Sequence, residues 1–355
     1  MKNPYHKEFK LNNFHFSSTE EILIYASEIS EEMHSFLKNW FSDQETISLQ
    51  TSGSTGVPKT IALRKEFMVN SALATANYFH LPQKTKALLC LPITYIAGKM
   101  MLIRALTLGW HLDVIKTTSK PLVGISKKYD FSAMVPLQLE NSLENLHFIK
   151  KLIVGGGVIS NQLQEKLQTA DCKVFATFGM TESITHIAVK KLNHYKKIPT
   201  FYEVLPTINI YTDNRNCLVI EAKNISEKVL FTNDVVQLTS KNKFDWLGRF
   251  DNVINSGGIK LHPEKVEEKL SKVIENCFFV AGIPDEKLGQ KLILVIKKEV
   301  DTDNQQFLKE IFSKIRGLKS LSRFEIPKEI YFLDNFIETS SGKIQRKETI
   351  HLINF

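Results

Sequence analysis

Residues 51–59 form a run of glycines, hydroxyl residues and one lysine whose composition suits the binding of phosphate. The run reads TSGSTGVPK, with two glycines and four hydroxyl residues in its first six positions. Backbone N–H groups and hydroxyls of such a loop can converge on phosphate oxygens, and a lysine adds positive charge. The Walker A spacing is absent, and a flexible surface turn would not need this composition. The predicted phosphate ligands are Thr51, Ser52, Gly53, Ser54, Thr55, Gly56 and Lys59.

Four further short motifs follow in the chain. They are FGMTE at 178–182, TND at 232–234, GRFD at 248–251 and SGKIQR at 341–346, with SGG at 256–258 between the last two. Each motif alone could be a chance match. Five motifs in this order, spread over almost 300 residues, indicate one common chemistry.

Together the motifs resemble those of the adenylate-forming acyl-CoA synthetase superfamily, and the resemblance covers residues 50–347. It implies an enzyme that uses ATP and coenzyme A as co-substrates with Mg²⁺ as cofactor. In the first step, a substrate carboxylate attacks the α-phosphate of ATP and forms an acyl-adenylate and pyrophosphate. In the second step, a thiol, commonly that of coenzyme A, displaces AMP. Because negative charge gathers at phosphorus, catalysis depends on positioning and on cations.

The resemblance assigns most of these residues to ATP. The loop at 51–59 would hold the β- and γ-phosphates, Thr181 would bind phosphate, and Glu182 would be the Mg²⁺ ligand. Asp234 and Arg249 would fix the ribose hydroxyls, although either residue alone would be read as a surface charge. The other predicted ATP- or AMP-binding residues are Gly155, Gly156, Gly157, Phe178 and Gly179. For the three consecutive glycines, tight turn geometry is an equally good explanation.

The resemblance also implies a mobile C-terminal cap that carries the catalytic lysine. Lys343 would reach the α-phosphate and the attacking carboxylate, and with Thr181 and Glu182 it completes the predicted catalytic set. Asp251 matches the hinge position between an adenylation pose and a thioester-forming pose. Gly257 and Gly258 would approach the pantetheine channel of coenzyme A, because only glycine lets backbone come that close.

The acid substrate is indicated by residues 91–98 and the helix that follows them. Tyr95 stands where a histidine is frequent in the superfamily, and Lys99 and Arg104 follow in an otherwise apolar helix. An aromatic acid with a second carboxylate would need a cation, whereas a fatty-acyl tunnel would not. With His186 as a further acyl-site residue, the chain is most similar to the o-succinylbenzoate–CoA ligases of menaquinone synthesis.

In this interpretation Lys99 meets the free carboxylate of the substrate, and the alternative is that its ammonium extends to water. Two other functions stay open. One is a CoA ligase for another aryl or short acyl acid, and the other is a non-catalytic nucleotide-binding member of the fold.

The chain departs from the superfamily pattern in three places. The phosphate loop begins only about fifty residues in, whereas most relatives carry a longer region before it. The TND motif has Asn233 where glycine is usual. The proline that usually precedes the terminal Ser-Gly-Lys is missing from residues 336–340.

These motifs must be positioned by a fold of two units. Between about 46 and 189, strand-like runs such as 87–91 and 174–178 alternate with helical segments such as 98–108. This alternation predicts an α/β domain at 1–250 with mainly parallel sheets flanked by helices. Short strands without helices predict a small antiparallel β subdomain at about 202–250. A small, mobile α+β C-terminal domain is expected at 251–355.

Composition limits the partners. Apolar residues make up 43% and charged residues 24%, which is typical of a soluble globular protein. The formal charge is +8, but basic and acidic residues are interspersed. We therefore expect a carboxylic acid, ATP and CoA as partners, and no nucleic acid. A homo-oligomer is compatible with the sequence.

The sequence also predicts the cellular setting. No apolar run reaches the roughly 18 residues of a membrane-spanning helix, and the N-terminus has no secretory signal. The four cysteines form no C-x-x-C pair, which disfavours zinc and a disulfide framework. A cytoplasmic protein without membrane insertion is expected.

Overall fold

The computed structural model describes residues 4–50, 60–195, 201–298, 304–339 and 344–353, and the structural statements below concern these residues. Some predicted site residues lie outside this part of the chain: Thr51, Ser52, Gly53, Ser54, Thr55, Gly56, Lys59 and Lys343. Their assignments stay predictions.

The strands of the described chain are short and numerous. They are β1 (Lys10–Leu11), β2 (Phe14–His15), β3 (Thr46–Gln50), β4 (Thr60–Arg64), β5 (Lys86–Leu89), β6 (His111–Val114), β7 (Tyr129–Met134), β8 (Ile149–Val154), β9 (Lys173–Gly179), β10 (His186–Lys191), β11 (Tyr202–Val204), β12 (Asn209–Thr212), β13 (Cys217–Glu221), β14 (Leu230–Ser240), β15 (Lys243–Arg249), β16 (Ile254–Ser256), β17 (Ile259–Leu261), β18 (Phe278–Asp285), β19 (Gly289–Lys297) and β20 (Glu329–Leu333).

The α-helices lie between these strands. They are α1 (Thr19–Ile29), α2 (Glu31–Phe41), α3 (Lys65–Phe79), α4 (Ile96–Leu108), α5 (Pro136–Glu140), α6 (Asn161–Lys166), α7 (Pro263–Leu270), α8 (Asn304–Gly317) and α9 (Arg346–Ile350).

One large sheet organises the chain up to Arg249. Its order is β12-β13-β14-β15-β11-β10-β9-β8-β7-β5-β6-β1-β2. Strands β1, β6, β5, β7, β8 and β9 pair in parallel. The direction changes at β10, which runs antiparallel to β9, and the strands from β11 to β15 and back to β12 are antiparallel as well. The predicted α/β class is confirmed, and the antiparallel strands continue the same hydrogen-bonded sheet.

Both faces of the parallel part are covered, as parallel sheets require. Successive side chains of β5 alternate between two cores: Ala87 and Leu89 belong to one, and Leu88 belongs to the other together with Cys90. Helices α3 and α4 cover the first face. Each fully buried aliphatic side chain contributes about 1.5–3 kcal/mol to folding, so this packing holds the strand ends in place.

Helices α1 and α2, which precede β3 in the chain, contribute to the same core. The Ser18 and Ser30 hydroxyls accept hydrogen bonds from the backbone N–H of Glu21 and Met33, which caps α1 and α2. Helix α2 buries Phe36 and three other apolar side chains. Its apolar face lies in the core that also contains α4, the helix of the predicted acyl site.

The residues after Asn252 form a separate sheet. Strands β17, β16, β19 and β18 are antiparallel neighbours, and β20 joins β19 in parallel. Apolar side chains of α7 and α8 pack on one face, and a smaller cluster including Phe279 and Phe336 fills the other. Because one sheet ends and the other begins around the 3₁₀ turn at Phe250–Asn252, we propose a domain boundary at about residue 250.

A search of the described helices for a segment of membrane-spanning length and hydropathy finds none.

Candidate active site

The glycines after β8 lie at the carboxyl end of the parallel strands, where ligands of open α/β sheets bind. A Cβ atom on Gly155 would come within 2.5 Å of the Thr177 hydroxyl, which itself donates to the carbonyl of Val154 at 3.1 Å. Gly156 has φ +83°, a conformation that glycine adopts without strain. The result is a stretch of bare backbone beside β9, suitable for a flat adenine ring. The assignment of Gly155, Gly156 and Gly157 to adenine stays a prediction.

Gly179 ends β9 in a space that only glycine can occupy. It pairs with His186 of β10, and a Cβ there would collide with the backbone of Thr185 and His186. Phe178 packs against the rings of Tyr202 and Phe244, at centroid distances of 5.8 and 5.1 Å. Phe178 therefore has a packing role that the sequence interpretation did not include.

The turn after Gly179 presents the two predicted phosphate and metal residues. Ser183 is buried and holds the turn, because its hydroxyl accepts from the N–H of Met180 at 3.1 Å and donates to the carbonyl of Thr185 at 2.9 Å. Thr181 is half-buried and Glu182 is exposed on the single 3₁₀ turn Thr181–Ser183. The two side chains therefore face outward from the end of the sheet.

Glu182 fits a Mg²⁺ ion that arrives with a nucleotide. Among the described residues, no group of three acidic, histidine or cysteine side chains could cage a metal. Mg²⁺ usually takes one or two protein carboxylates, with phosphate oxygens and water completing its coordination. A single exposed carboxylate at the strand end matches that donor set. Bound there, the ion would neutralise phosphate charge.

Asp234 and Arg249 are brought together by the pairing of β14 with β15, in which they are direct partners. The Arg249 guanidinium lies 3.4 Å from the Asp234 carboxylate. The Trp246 indole N–H donates to the other carboxylate oxygen at 2.9 Å. Trp246 was not predicted from sequence, since its role depends on cross-strand pairing. The assignment of Asp234 and Arg249 to the ribose hydroxyls stays a prediction.

Tyr95 and Lys99 lie at the start of α4. The Tyr95 side chain is exposed at the N-cap. The Lys99 ammonium donates to the carbonyls of Ile93 and Thr94 at 2.6 and 2.8 Å, and lies 5.6 Å from the ring centre of Phe36. Burial lowers the Lys99 pKa. The ammonium therefore already has two backbone partners within its own loop.

Arg104 lies deeper in the same helix, and it is 1% exposed. Its Nε donates to the Thr75 hydroxyl of α3 at 3.3 Å, while Nη2 has no hydrogen-bond partner among the described residues. Burial lowers the pKa of Arg104 to about 9, so the guanidinium is still charged at neutral pH. A buried cation without a counter-charge costs several kcal/mol.

His186 faces this cation and is also buried. Neither ring nitrogen has a hydrogen-bond partner within the described chain. Burial, and then the nearby charge of Arg104, lower the pKa of His186 to about 3. The imidazole is therefore neutral at pH 7, with one N–H donor and one acceptor. Arg104 Nη2 and both ring nitrogens of His186 therefore lack partners among the described residues, and His186 is the strand partner of Gly179.

The C-terminal unit has its own polar cluster next to the predicted catalytic loop. Arg346 contacts Glu267 at 2.7 and 2.8 Å and donates to the carbonyl of Val280 at 2.9 Å. Glu264 lies 3.6 Å from the same guanidinium and accepts from the Asn252 amide at 2.6 Å. Arg346 is thus fixed between two carboxylates of α7. Arg346 follows Lys343 by three residues, so this cluster fixes the described chain just after the predicted catalytic lysine.

The predicted hinge and pantetheine residues lie at the junction of the two sheets. The Asp251 carboxylate is half-exposed and accepts from the Asn233 amide at 3.2 Å. Gly257 and Gly258 have φ +59° and +81°, so the turn geometry itself favours glycine at both positions. Their assignment to the pantetheine channel and the assignment of Asp251 to the hinge stay predictions.

Comparison with known proteins gives the family. The sequence profile described as AMP-binding enzyme matches residues 8–215, which is more than half of the chain. This chain belongs to the AMP-binding enzyme family. A solved AMP-binding relative, the acyl-CoA synthetase (AMP-forming)/AMP-acid ligase II-like protein from Dyadobacter fermentans, is 36% identical. It has a TM-score of 0.59, with 91% of this chain and 94% of that chain covered.

Other AMP-binding relatives carry more specific names. The 2-succinylbenzoate–CoA ligase of Staphylococcus epidermidis is 28% identical over 329 residues, covering 84% of this chain and 68% of that protein. The O-succinylbenzoate coenzyme A synthetase of Bacillus subtilis, solved with ATP and a magnesium ion, has a TM-score of 0.73 at 18% identity, covering 94% of this chain and 82% of that one. At that identity the likeness concerns the fold.

Proposed function

We propose that this AMP-binding enzyme is an ATP-dependent, AMP-forming acid–CoA ligase whose acid is o-succinylbenzoate. The observation that carries the choice of acid is the buried guanidinium of Arg104 beside His186, whose Nη2 has no partner among the described residues. The named ligase of Staphylococcus epidermidis acts on the same acid, and the family as a whole supports the ligase class.

The acid has two carboxylates, only one of which is activated. The other keeps its charge throughout both half-reactions, so an apolar acyl pocket needs a buried cation to receive it. Arg104 has the charge and a free Nη2 donor, and neutral His186 offers one N–H. A carboxylate between them would satisfy the orphaned groups. Arg104 thus fits this role better than Lys99, whose ammonium is occupied by Ile93 and Thr94.

The remaining roles follow the two steps of the reaction. Asp234 and Arg249 would hold the ribose, while Glu182 would hold the Mg²⁺ that accompanies ATP. With the nucleotide fixed, the carboxylate that is not on the ring attacks the α-phosphate, and Lys343 offsets the charge that develops there. Pyrophosphate leaves, and the thiolate of CoA then attacks the acyl carbon of the adenylate and releases AMP.

His186 links the acyl pocket to the nucleotide site in this scheme. It is the direct strand partner of Gly179, two residues before Thr181. A substrate whose ring carboxylate rests on Arg104 and His186 therefore lies behind the turn that presents Thr181 and Glu182. Because the ring end of the substrate and the nucleotide are both fixed, the reacting carboxylate is positioned against the α-phosphate, and this positioning lowers the barrier.

The acid specificity can be tested with purified protein, ATP, Mg²⁺ and CoA. We expect AMP release with o-succinylbenzoate, and at most slow release with benzoate, malonate or octanoate at the same concentration. A reaction without CoA should stop after about one equivalent of pyrophosphate per active site. Release of ADP would contradict the mechanism, AMP with a different acid would favour another acyl-CoA ligase, and no turnover with any acid would favour a non-catalytic binding protein.

The metal role of Glu182 has a separate test. Because the carboxylate would share Mg²⁺ with the phosphates, Glu182→Gln should raise the Mg²⁺ concentration for half-maximal pyrophosphate release by at least about tenfold. Glu165→Gln, at an exposed position on α6, is the matched control and should leave the titration unchanged. Equal Mg²⁺ titrations for both variants would remove Glu182 from the metal site.

A further inference from the structure

Asn233 is the middle residue of the Thr-Asn-Asp motif, which lies within strand β14, and the superfamily pattern has glycine at this position. The backbone does not explain the difference, because Asn233 is absent from the described residues with positive φ. Its side chain does have a specific use. The amide N–H donates to the Asp251 carboxylate at 3.2 Å, and the amide oxygen accepts from Arg215 at 2.9 Å. A glycine could make neither contact.

Arg215 is itself fixed on several sides. Its guanidinium donates to Asp213 at 2.9 Å and to the carbonyl of Thr232 at 3.1 Å. It also lies over the ring of Phe250 at 5.2 Å from the centroid. Arg215 therefore contacts the ring of Phe250, and Asn233 contacts the carboxylate of the next residue, the predicted hinge residue Asp251.

The hinge carboxylate has a second partner on the same sheet. Arg249 lies 3.6 Å from Asp251 and also contacts Asp234. The residue groups that would hold ribose and those that hold the hinge are thus neighbours on β14 and β15. Rotation about the N–Cα bond of Asp251 would carry its carboxylate away from Asn233, Arg249 or both.

The surroundings of Gly257 and Gly258 bear on which pose the cap adopts. A Cβ on Gly257 would meet only Leu288 of the cap, and one on Gly258 would meet no described atom within 4 Å. If these glycines line the CoA channel in the thioester-forming pose, they would have to approach the large domain. Neither Cβ position meets a described atom of the large domain, and we take the pose seen here as the one that precedes thioester formation.

We propose that Asn233, supported by Arg215, is a positioning residue that retains the hinge in the pose preceding thioester formation. The proposal rests on the proposed ligase function and adds a chain-specific control of its domain motion. The Asn233–Asp251 hydrogen bond is broken each time the cap moves on to the CoA-dependent step. Since the bond is partly exposed, its loss should change the pose equilibrium by about threefold.

The pose can be measured directly by fluorescence transfer. Cys277 of the cap is exposed, whereas the other cysteines are buried, and Lys150→Cys supplies a second exposed label site on the large domain. With ATP and Mg²⁺ but no CoA, Asn233→Gly and Asn233→Ala should each lower the ratio of the retained pose to the other pose about threefold. Asn214→Ala is the matched control, because Asn214 is exposed on the turn that carries Arg215.

Asn233→Asp separates a hinge contact from a merely structural role. The aspartate keeps the shape and can still accept from Arg215, but it places a second carboxylate against Asp251. We expect a larger loss of the retained pose than with glycine, and partial recovery in high salt, which screens exposed charges. If this strand position only needed an asparagine-shaped side chain, the variant would behave like the parent protein.

The kinetic consequence is a faster second half-reaction. When CoA is added to preformed acyl-adenylate, Asn233→Gly should convert it about three times faster in a single turnover. Unchanged label distances together with an unchanged conversion rate, in a protein that forms acyl-CoA, would overturn the inference and leave the ligase function standing. Failure to form any adenylate would overturn the function, while the label distances would still report on the hinge.

Discussion

Arg104→Met is expected to abolish the use of o-succinylbenzoate without weakening the fold. Removing the cation from one end of a buried ion pair costs several kcal/mol, so kcat/KM for this acid should fall by about 100- to 1,000-fold. The KM for ATP should stay within about threefold, because Arg104 has no described contact with the nucleotide residues. Initial rates with each substrate varied in turn give both values.

The stability of this variant distinguishes a substrate contact from a structural one. In the absence of substrate, Arg104 is a buried charge whose Nη2 has no partner in the described structure. An apolar side chain of similar length removes that desolvation cost, so the free energy of unfolding in urea should be unchanged or raised. A structural arginine would show the opposite, namely a large loss of stability with parallel losses on every substrate.

Two controls complete the test. Lys99→Met is the comparison on the same helix, and it should alter KM for the acid much less than Arg104→Met does. The acid that lacks the ring carboxylate, 4-oxo-4-phenylbutanoate, should be used better by Arg104→Met than by the parent protein. If Lys99→Met alone loses o-succinylbenzoate, then Lys99 is the carboxylate partner and Arg104 is not.

Arg346→Met is the second change with a large expected effect. The guanidinium neutralises Glu267 and faces Glu264, so its loss leaves buried carboxylates without a counter-charge. We expect the C-terminal unit to lose about 3 kcal/mol of unfolding free energy. Since Arg346 fixes the chain just after Lys343, its loss should also slow pyrophosphate release about 100-fold. Urea unfolding and single-turnover adenylation measure the two effects.

The two effects can be separated by a second substitution. In Arg346→Met combined with Glu267→Leu, most of the stability should return, because a buried ion pair is replaced by apolar side chains. Adenylation should stay slow, since the anchor of the segment that contains Lys343 is still missing. Lys347→Met, at the exposed neighbouring position, should resemble the parent protein. Full recovery of adenylation in the double variant would reduce Arg346 to a purely stabilising residue.

Sequence patterns were sufficient for the elements around the nucleotide residues. The strand predicted at 174–178 is β9 (Lys173–Gly179), and the helix predicted at 98–108 is α4 (Ile96–Leu108). Buried residues alternate along the first part of β9, whereas α4 is a nearly continuous apolar segment of 13 residues, which is long for a strand. The helices α1 and α2 were not predicted, although Ser18 and Ser30 are suitable N-cap residues.

The choice between Lys99 and Arg104 required the structure. At 100° per residue, five positions place the two side chains about 140° apart on the helix. The sequence does not say which of these directions faces the neighbouring core. Lys99, near the helix start, can turn back to the carbonyls of its own loop, whereas Arg104 is enclosed by α3 and β10. Trp246 was missed for a related reason, since strand register decides which side chain meets Asp234.

The continuity of the large sheet has a mechanical consequence for the nucleotide. Hydrogen-bonded neighbours run without interruption from β8, which ends at the adenine candidates, through β9, β10, β11 and β15 to β14, which carries Asp234. The residues predicted to contact base and sugar therefore belong to one continuous sheet. If the molecule bends at the predicted hinge, just beyond the end of this sheet, AMP would keep a constant geometry in its site while the cap exchanges one reaction partner for the next.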